Sequence, residues 1–351
     1  MSVKILNVML GKGKGGLENA FVSHARLFSK AGYEVVALCH QESSYVADLQ
    51  NLKIPTYTMS ASKFNPLAWI KLIRTIKSVR PDVVCLHGNR AVYFASSKIL
   101  KLFIRPFPKL MATAHNNRNK FFYKLDGVFS ITEVLKNNLI HQFNIPENKI
   151  FLCPNAAGFP EVKPAENYEL HQPVHIGFCG RLHPVKGLDI LLDACQKLKE
   201  KKIAFKLIVA GDGPLADDCK MLVHAKSLTE EVQFLGWISD KKSFFEQIDI
   251  LCMPSRSEAQ SLSLLEGLSY AKPVLVSTCP GMLEVVHNAN CALSFTIEDS
   301  DDLCNKLALL IQDKALCSDF SKNAYKLFLA KYNEDVQMEN LKKGIEAICK
   351  K

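Results

Sequence analysis

The sequence predicts an α/β protein made of two consecutive domains, each a doubly wound parallel sheet covered by helices. Its 351 residues are about twice the length of a common single domain, so two domains are expected. Short β-branched apolar runs alternate with longer segments of helical period, as in parallel sheets. The alternation stops at the proline-containing stretch 158–173 and then begins again. Two such sheets in succession predict a cleft across which the carboxyl ends of their strands face each other.

The first domain is expected to span residues 1–165 and to contain six strands. Its opening run is apolar but is interrupted by Lys4 and Asn7, so we interpret it as a buried strand and not as a signal peptide. A helix is predicted over 17–31, and Gly32 is its stop signal. The predicted strands are 4–10, 34–39, 82–87, 109–114, 127–131 and 149–153.

The second domain is expected to span residues 166–332. The segment 333–351 that follows it predicts a final helix, with Leu341, Ile345 and Ile348 on one face. We expect this helix to pack back on the first domain. The strands predicted in the second domain are 175–179, 206–210, 232–234, 250–253 and 273–276.

The composition is that of an ordinary globular protein. It is 48% hydrophobic and 23% charged, and no segment approaches the roughly 18 uncharged apolar residues of a membrane-spanning helix. The twelve cysteines include no Cys-x-x-Cys pair, and Cys85, Cys179 and Cys252 lie inside apolar runs. This pattern favours buried free thiols in a reducing compartment, and hence a cytoplasmic location.

The net charge of +9 is distributed unevenly between the predicted domains. Residues 1–165 carry 22 Lys and Arg against 9 Asp and Glu, a net +13, and the remainder carries −4. We therefore hypothesise that the first domain docks on an anionic membrane surface. The alternative is a solvated basic face over core aromatics, and nucleic acid is disfavoured because no recognition motif is present. The residues concerned are Lys71, Arg74, Lys77, Lys98, Lys101, Arg105, Lys109, Arg118, Lys120 and Lys124, with Phe103, Phe107, Phe121, Phe122 and Tyr123.

A glycine-rich loop follows the first predicted strand and opens a helix. Gly11, Gly13 and Gly16 match the G-x-G-x-x-G pattern of Rossmann-like dinucleotide-binding domains, and Glu42 lies near the end of the second strand. Glycines let the backbone approach a phosphate at a helix N-terminus, whatever the rest of the ligand is. A phosphate or sugar contact, a plain tight turn and a nicotinamide cofactor all stay open.

A basic loop follows the first strand of the second domain. Arg181 and Lys186 are five residues apart at a strand's carboxyl end, so both can reach one diphosphate. His183 lies between them and is interpreted as a spacer. The alternative is a solvated basic loop.

Two carboxylates eight positions apart form the strongest motif. Glu258 is expected just before a helix and Glu266 about one turn inside it. The free N–H groups of Ser261, Leu262 and Ser263 would then make an anion site between two hydroxyl-binding carboxylates. A phosphate flanked by sugar hydroxyls describes a nucleotide sugar. The alternative is a pair of solvated glutamates, although an unpaired Glu258 beside an apolar strand would be costly.

These motifs resemble the retaining glycosyltransferases of family 4, which have the GT-B fold of two Rossmann-like domains. The resemblance implies transfer of a sugar from a UDP- or GDP-linked donor, with retention of configuration and without a metal or other cofactor. The acceptor would be a saccharide or lipid-linked molecule in lipopolysaccharide or other envelope glycan synthesis. The motifs are Gly15-Gly16, Ala114-His115, Gly180-Arg181-(x4)-Lys186-Gly187, Gly211-Asp212-Gly213-Pro214 and Glu258-(x7)-Glu266, which together cover nearly the whole chain.

The resemblance also implies a role for each matching residue. Arg181 and Lys186 would hold the donor diphosphate, Glu258 the hydroxyls of the transferred sugar, and Glu266 the ribose. His115 would lie across the cleft near the sugar and the acceptor, so catalysis is expected to require closure of the cleft. The remaining positions implied to line the donor site are Gly15, Gly16, Gly211, Trp237 and Ile238, besides Ser261, Leu262 and Ser263.

The chain departs from the family pattern at two places. Gln260-Ser261 replaces the usual aromatic-glycine pair, which would change contacts with the donor sugar, and Asn155-Ala156 replaces the usual Asn-Gly, which would alter the hinge. Asp299 precedes a helical stretch over 303–311 and is interpreted as its cap, not as part of a metal motif.

Three other functions stay open. They are an NAD-dependent oxidoreductase that uses the loop from Gly11 to Gly16, a nucleotide-sugar epimerase on a similar fold, and a sugar-binding protein without catalysis. The intact set of charged residues argues against the last of these.

Overall fold

The structure, a computed structural model, describes residues 3–13, 15–60, 66–116, 121–160 and 168–350. The chain divides into two compact units. The first unit comprises Met1–Asn155 together with Glu334–Lys351, and the second comprises Ala156–Asn333. The first division falls ten residues before the boundary predicted at residue 165. Ala157 belongs to the second unit because it forms a β-bridge with Asn333 and its N–H donates to the Tyr332 carbonyl at 2.9 Å.

The first unit is built on a seven-stranded, entirely parallel sheet in the order β3-β2-β1-β4-β5-β6-β7. The strands are β1 (Lys4–Met9), β2 (Glu34–His40), β3 (Thr56–Met59), β4 (Val83–His87), β5 (Lys109–Ala114), β6 (Gly127–Ser130) and β7 (Ile150–Leu152). The helices between them are α1 (Gly16–Lys30), α2 (Val46–Asn51), α3 (Pro66–Val79), α4 (Gly88–Ala95), α5 (Lys98–Phe103) and α6 (Glu133–Phe143).

The second unit repeats this plan with six parallel strands in the order β10-β9-β8-β11-β12-β13. The strands are β8 (Val174–Cys179), β9 (Phe205–Ala210), β10 (Val232–Gly236), β11 (Ile250–Met253), β12 (Val274–Ser277) and β13 (Ala292–Phe295). The helices are α7 (Leu188–Glu200), α8 (Ala216–Ala225), α9 (Lys241–Gln247), α10 (Leu262–Ser269), α11 (Pro280–Val286), α12 (Ser300–Gln312) and α13 (Lys314–Leu327).

The last helix, α14 (Glu334–Cys349), belongs to the first unit. Leu341, Ile345 and Ile348 are buried in the hydrophobic core of that unit, as the spacing predicts. Arg26 of α1 forms an ion pair with Glu334 at the beginning of α14. The C-terminal helix thus completes the layer of helices on one face of the first sheet.

The structure confirms the predicted fold class, two doubly wound parallel sheets with buried strands. Such sheets open a crevice where the strand order reverses, here between β1 and β4 in one unit and between β8 and β11 in the other. The sequence did not predict β3 and β13. Both are four-residue strands at a sheet edge, where one side has no neighbouring strand and polar residues interrupt the apolar pattern.

The structure also tests the predictions about the cysteines and the Asp299 cap. Eleven cysteines are buried free thiols and Cys349 is exposed. Asp299 caps α12 by accepting hydrogen bonds from the Asp301 and Asp302 amides, which confirms the capping interpretation. In the described part of the chain, no helix combines the length and the apolar character needed to cross a membrane. Residues 161–167 of the predicted linker lie outside the described residues.

Candidate functional site

In the second unit, backbone hydrogen bonds join the loops at the carboxyl ends of β8, β9 and β10. The Gly180 amide donates to the Ala210 carbonyl at 3.0 Å, and the Leu182 amide donates to the Asp212 carbonyl at 2.9 Å. The Gly211 amide donates to the Gly236 carbonyl at 2.7 Å. The basic loop, the Gly211 turn and the segment before Trp237 therefore form one connected surface.

Glycine is required at the closest approaches of these loops. Gly211 has a φ of +140°, and a Cβ there would overlap the carbonyl oxygen of Gly180. Gly187 has a φ of +68°, and a Cβ there would overlap the carbonyl oxygen of Pro254. Because both neighbours are backbone atoms, a side chain could be accommodated only by moving a loop.

The two predicted cations of the basic loop differ in their partners. Arg181 is exposed and makes no hydrogen bond or ion pair with another described residue. Lys186 forms an ion pair with Glu258 and is 22% exposed, against 14% for the glutamate. The predicted spacer His183 caps the short 3₁₀ helix Pro184–Lys186, since its Nδ1 accepts from the Val185 amide at 3.3 Å. Arg181 is thus free to bind an anion, whereas Lys186 is held against a carboxylate.

Helix α10 places the two glutamates of the Glu-(x7)-Glu motif as predicted. Glu258 lies before the helix, and Glu266 lies five residues into it. Ser261 is the N-cap, and its Oγ accepts from the Leu264 amide at 3.4 Å. The amides of Ser261, Leu262 and Ser263 have no carbonyl partner within the helix.

Glu258 is held by several neighbours. Besides the ion pair with Lys186, its carboxylate accepts from Ser255 Oγ at 3.4 Å, and its amide donates to Cys279 Sγ at 3.0 Å. Gly281 packs beneath this loop, because a Cβ there would overlap the Glu258 and Ala259 carbonyl oxygens. These contacts meet the requirement that a partly buried carboxylate be hydrogen-bonded.

Arg256 is a contributor that the sequence analysis missed. Its guanidinium forms a bidentate pair with Asp189 at 2.7 and 2.9 Å and also bonds Glu298 at 2.6 Å and the Pro184 carbonyl at 2.6 Å. The Arg256 amide donates to the Val185 carbonyl at 2.8 Å. Arg256 therefore fastens the loop of Glu258 to the loop of Lys186. The sequence could have indicated this role, because Arg256 is a cation that follows β11 and lies two residues before Glu258.

Lys241 was also missed. It is the first residue of α9, and its Nζ lies 2.8 Å from Glu266 Oε2 and 3.5 Å from Cys179 Sγ. Burial alone would lower the pKa of Lys241, but Glu266 and Cys179 raise it above its ordinary value. Each glutamate of the motif thus has a lysine partner from another loop.

Trp237 and Ile238 follow β10 at the end of the connected loops. The Trp237 side chain is 74% exposed, whereas Ile238 is half-buried against the hydrophobic core of the unit. Gly236, with a φ of +68°, makes the turn into this segment. An exposed indole ring at the end of these connected loops offers a surface on which a planar group can stack.

In the first unit, the glycine-rich loop is occupied by a carboxylate of its own chain. A Cβ on Gly13 would lie 3.1 Å from Glu18 Oε1, and one on Gly15 would lie 3.5 Å from Glu18 Oε2. Gly15 is the N-cap of α1, which begins at Gly16. Glu18 therefore lies at the helix N-terminus where a pyrophosphate would bind. Glu42, the candidate ribose ligand, forms an ion pair with Lys12 at 2.6 Å, which further disfavours a dinucleotide. Lys14 lies outside the described residues.

His115 follows β5 and lies beside two other buried histidines. Its ring centroid is 6.2 Å from that of His87, which is 5.1 Å from that of His24. Burial lowers the pKa of His115 to about 4 and that of His24 to about 3. His115 Nε2 is buried and bonds none of the described residues. At neutral pH His115 is therefore an uncharged hydrogen-bonding group.

Two family models match the chain, one in each unit. The family described as Glycosyltransferase Family 4 matches residues 14–157, and that described as Glycosyl transferases group 1 matches residues 162–327. The chain belongs to the family 4 type of GT-B glycosyltransferases. The resemblance inferred from the motifs is thereby confirmed.

Solved structures agree with this assignment of the fold. The glycosyltransferase resembles Anabaena Alr3699/HepE in complex with UDP with a TM-score of 0.84 at 16% identity, over 99% of this chain and 100% of that one.

Two relatives are glycosyltransferases according to their names. The poly(ribitol-phosphate) alpha-N-acetylglucosaminyltransferase of Staphylococcus aureus (strain COL) is 23% identical over 217 residues, which are 62% of this chain and 43% of that protein. The O-antigen biosynthesis glycosyltransferase WclY of Escherichia coli is 35% identical over 127 residues, 36% of this chain and 34% of that one. The glycosyltransferase thus matches less than half the length of either relative.

The described part of the glycosyltransferase holds no group of three or more His, Cys, Asp or Glu side chains arranged to ligate a metal ion. In the second unit, the residues available to hold a ligand are the cations of the basic loop, the amides at the beginning of α10 and the carboxylates of Glu258 and Glu266.

Proposed function

We propose that this glycosyltransferase transfers a sugar from a UDP- or GDP-sugar to an acceptor in envelope glycan synthesis, with retention of anomeric configuration. The observation that carries the proposal is the ion pair that joins Lys186 of the basic loop to Glu258, which lies three residues before the N-cap of α10. The exposed Arg181 lies on the same loop. The UDP complex of the Anabaena protein and the names of the two relatives support the donor class and the envelope pathway.

The diphosphate binds between the basic loop and α10. Arg181 is exposed and carries no counter-charge, so it can present a planar fork to the phosphate oxygens. Lys186 gives up part of its contact with Glu258 to contact the phosphate. The amides of Leu262 and Ser263 donate hydrogen bonds to the phosphate at the positive end of the α10 dipole. Glu258 then accepts hydrogen bonds from the hydroxyls of the transferred sugar.

In the reaction, the bond between the anomeric carbon and the leaving phosphate oxygen breaks, and a bond to the acceptor oxygen forms on the same face. The acceptor proton passes to the leaving diphosphate, so no protein base is required. Arg181, Lys186 and the α10 amides stabilise the negative charge that develops on the diphosphate. We propose that these groups do so without a divalent metal or another cofactor.

His115 contributes a neutral hydrogen-bonding group for the acceptor, because its lowered pKa disfavours the imidazolium form at neutral pH. Gly15 and Gly16 of the same unit are proposed to contact a sugar and not a phosphate, because Glu18 takes the anion position of their loop. Gly211 and Ile238 shape the nucleotide side, and Trp237 stacks on the base.

The donor assignment is tested by measuring sugar transfer in EDTA for the Lys186→Met and Glu258→Gln variants. Each should lower kcat/KM at least 100-fold, since each removes a group that acts on the reacting diphosphate or sugar. The matched control is Lys220→Met, an exposed lysine on α8, which should retain full activity. Full activity in both site variants would overturn the assignment, and loss of wild-type activity in EDTA would overturn metal independence.

An epimerase on the same fold is distinguished by its products. With a nucleotide sugar and no acceptor, an epimerase converts the sugar while the nucleotide stays attached, whereas a transferase needs the acceptor and releases the nucleoside diphosphate. Anomeric analysis of the transferred sugar by NMR tests retention, and an inverted product would contradict it.

We further propose that the first unit docks on an anionic membrane to reach a lipid-linked acceptor. Leu67, Ile70, Lys71, Arg74 and Ser78 lie at helical spacing on one exposed face of α3. They line a groove of about 460 Å³ that Tyr57 closes on one side. Exposed apolar groups flanked by cations match a bilayer interface with anionic headgroups.

Helix α5 and the segment after β5 extend this basic and apolar surface. Leu102 and Phe103 are 71% and 56% exposed, between the exposed Lys98, Lys101 and Arg105. Of the aromatic residues proposed from the sequence, Phe122 is buried and Phe107 and Phe121 are half-buried, so only Phe103 and Tyr123 can reach a bilayer. Arg118 and Lys120 lie outside the described residues. Among the basic residues proposed from the sequence, Lys77 and Lys124 are also exposed, whereas Lys109 is half-buried.

Co-sedimentation with vesicles tests the docking proposal. The wild-type protein should bind vesicles containing phosphatidylglycerol but not pure phosphatidylcholine, and raised salt should release it. The Lys71→Glu/Arg74→Glu and Leu67→Glu/Ile70→Glu variants should lose binding without a change in UDP affinity. The matched controls are Lys322→Glu and Met221→Glu, an exposed cation and an exposed apolar residue of the second unit. Equal loss in the controls, or no binding by the wild type, would end the proposal.

A further inference from the structure

The nucleotide end of the donor site contains a lysine and glutamate pair of its own. Lys241 Nζ lies 2.8 Å from Glu266 Oε2, and the two side chains come from α9 and α10. Neither is fully exposed, with 36% of the lysine and 28% of the glutamate side chain accessible. Lys241 also contacts Cys179 Sγ at the end of β8, 3.5 Å away. Three elements of the second unit therefore converge on one ammonium group.

The position of Lys241 is fixed by the folding of its helix. Asp240 caps α9 by accepting from the Ser243 amide at 3.2 Å. Phe244 and Phe245, three and four residues after Lys241, bury the same face of the helix in the core that includes Cys179. The lysine therefore begins the helix at a defined place beside β8. This restraint reduces the conformational entropy that a long side chain loses when it forms an ion pair.

The pair leaves one carboxylate oxygen of Glu266 available. Oε2 is bonded to Lys241, whereas Oε1 has no hydrogen-bond partner among the residues that the structure describes. The backbone carbonyl of Glu266 accepts from Ser269 Oγ at 2.7 Å and from the Tyr270 amide at 3.1 Å. A carboxylate held through one oxygen presents the second in a defined direction, as required to accept a hydrogen bond from a sugar hydroxyl.

We propose that Lys241 is a positioning residue that orients Glu266 toward the ribose of the nucleotide, and that the pair makes the enzyme select ribonucleotide over 2′-deoxyribonucleotide donors. This inference rests on the proposed function, because it assigns Glu266 to the ribose. Lys241 acts through Glu266, whereas Lys186 has the additional task of contacting the diphosphate. The two lysines therefore have separable effects.

Calorimetry with nucleoside diphosphates tests the proposal on the full-length protein. UDP and GDP are compared with their 2′-deoxy analogues, and the nucleotide that binds more tightly is used for the variants. The wild-type protein should bind the ribonucleotide about tenfold more tightly than its 2′-deoxy analogue, as expected for a hydrogen bond to a charged group. In Lys241→Met this preference should fall below about twofold, because Glu266 is no longer oriented.

Three further variants make the result specific. Lys241→Arg restores the cation and should recover part of the preference, and Glu266→Gln should lose the preference as Lys241→Met does. The matched control Lys220→Met should keep it. Thermal unfolding of each variant identifies loss of fold, and Lys241→Arg keeps the proposal falsifiable if Lys241→Met does not fold.

The possible failures are distinguishable. Retention of the tenfold preference in Lys241→Met would overturn the inference and leave the donor assignment intact, as would a wild-type protein that binds both sugars equally. Failure of the wild-type protein to bind either diphosphate would overturn the proposed function and the inference with it.

Discussion

The two units share one topology but differ in what lies at the carboxyl ends of their strands. In the first unit, the glycine-rich loop after β1 is filled by the carboxylate of Glu18. In the second unit, the loop after β8 carries Arg181 and Lys186 and meets the N-terminus of α10. The same topology therefore places cations at the carboxyl ends of the strands in one unit, and a carboxylate in the glycine-rich loop of the other.

The glycines show the same difference. Those of the first loop match a known fingerprint, yet a Cβ on Gly13 or Gly15 would contact only the Glu18 side chain. The glycines of the second unit do not form a G-x-G-x-x-G pattern, yet a Cβ on Gly187, Gly211 or Gly213 would overlap a backbone carbonyl oxygen. A glycine pattern in a sequence thus shows that close approach is allowed, whereas the structure shows where it is used.

Substitution of single glycines gives the largest expected difference between the units. Gly187→Ala should destabilise the second unit by on the order of 3 kcal/mol, because it combines a positive φ with overlap of the Pro254 oxygen. Gly13→Ala should change stability by less than about 0.5 kcal/mol, because the end of the Glu18 side chain can move. Urea unfolding measures both, and similar losses in the two variants would contradict the contrast.

Acid should affect the first unit through its buried histidines. Burial lowers the pKa of His24 to about 3, against about 6.5 in an unfolded chain. Between these values only the unfolded chain takes up the proton, so stability is lost as the pH falls through 6.5 and continues to fall toward 3. By pH 5 this one residue should cost the first unit about 2 kcal/mol.

His24→Phe should remove that part of the acid sensitivity, and His141→Gln on the exposed side of α6 should not. Trp69 belongs to the first unit and Trp237 to the second. Urea titrations at pH 7 and pH 5 in a Trp237→Phe background therefore report the first unit alone. An equal loss of stability in wild type and His24→Phe would show that this histidine is not protonated on unfolding.

Removal of the Arg256 contacts should have a smaller effect on stability than either Gly187→Ala or acid. Arg256→Met loses the bidentate pair with Asp189 and the bond to Glu298, but these carboxylates are 45% and 62% exposed. We therefore expect a loss of about 1 kcal/mol in thermal unfolding, accompanied by weaker UDP binding because the two loops are no longer fastened. Unchanged UDP affinity would mean that Arg256 does not position Lys186 and Glu258.

Most of the fold could be predicted from sequence because the interior strands of a parallel sheet are continuous apolar runs. The exceptions, β3 and β13, are short strands at sheet edges, where the apolar signal is weakest. The boundary between the units was displaced because the pairing of Ala157 with Asn333 is a contact between distant parts of the chain. No local pattern carries that information.

In the candidate site, too, residues in local patterns could be predicted from the sequence, whereas contacts between distant residues could not. Arg181, Lys186, Glu258 and Glu266 could be proposed from the sequence because they are charged residues at fixed spacing beside predicted strands and a predicted helix. Their partners could not, since Lys241 reaches Glu266 from a helix 25 positions earlier in the chain. The interpretation of the glycine loop also required the structure, because only the position of the Glu18 side chain shows that the anion site is filled.

The most direct test of the account is calorimetric titration of UDP and GDP into three proteins. The wild type should bind at least one of the two, Lys186→Met should bind it at least tenfold more weakly, and Lys12→Met should bind it as the wild type does. Lys12 is the matched cation, since it lies on the glycine loop of the first unit and is likewise paired with a glutamate. Loss of binding in Lys12→Met with retention in Lys186→Met would place the nucleotide in the first unit and contradict the account.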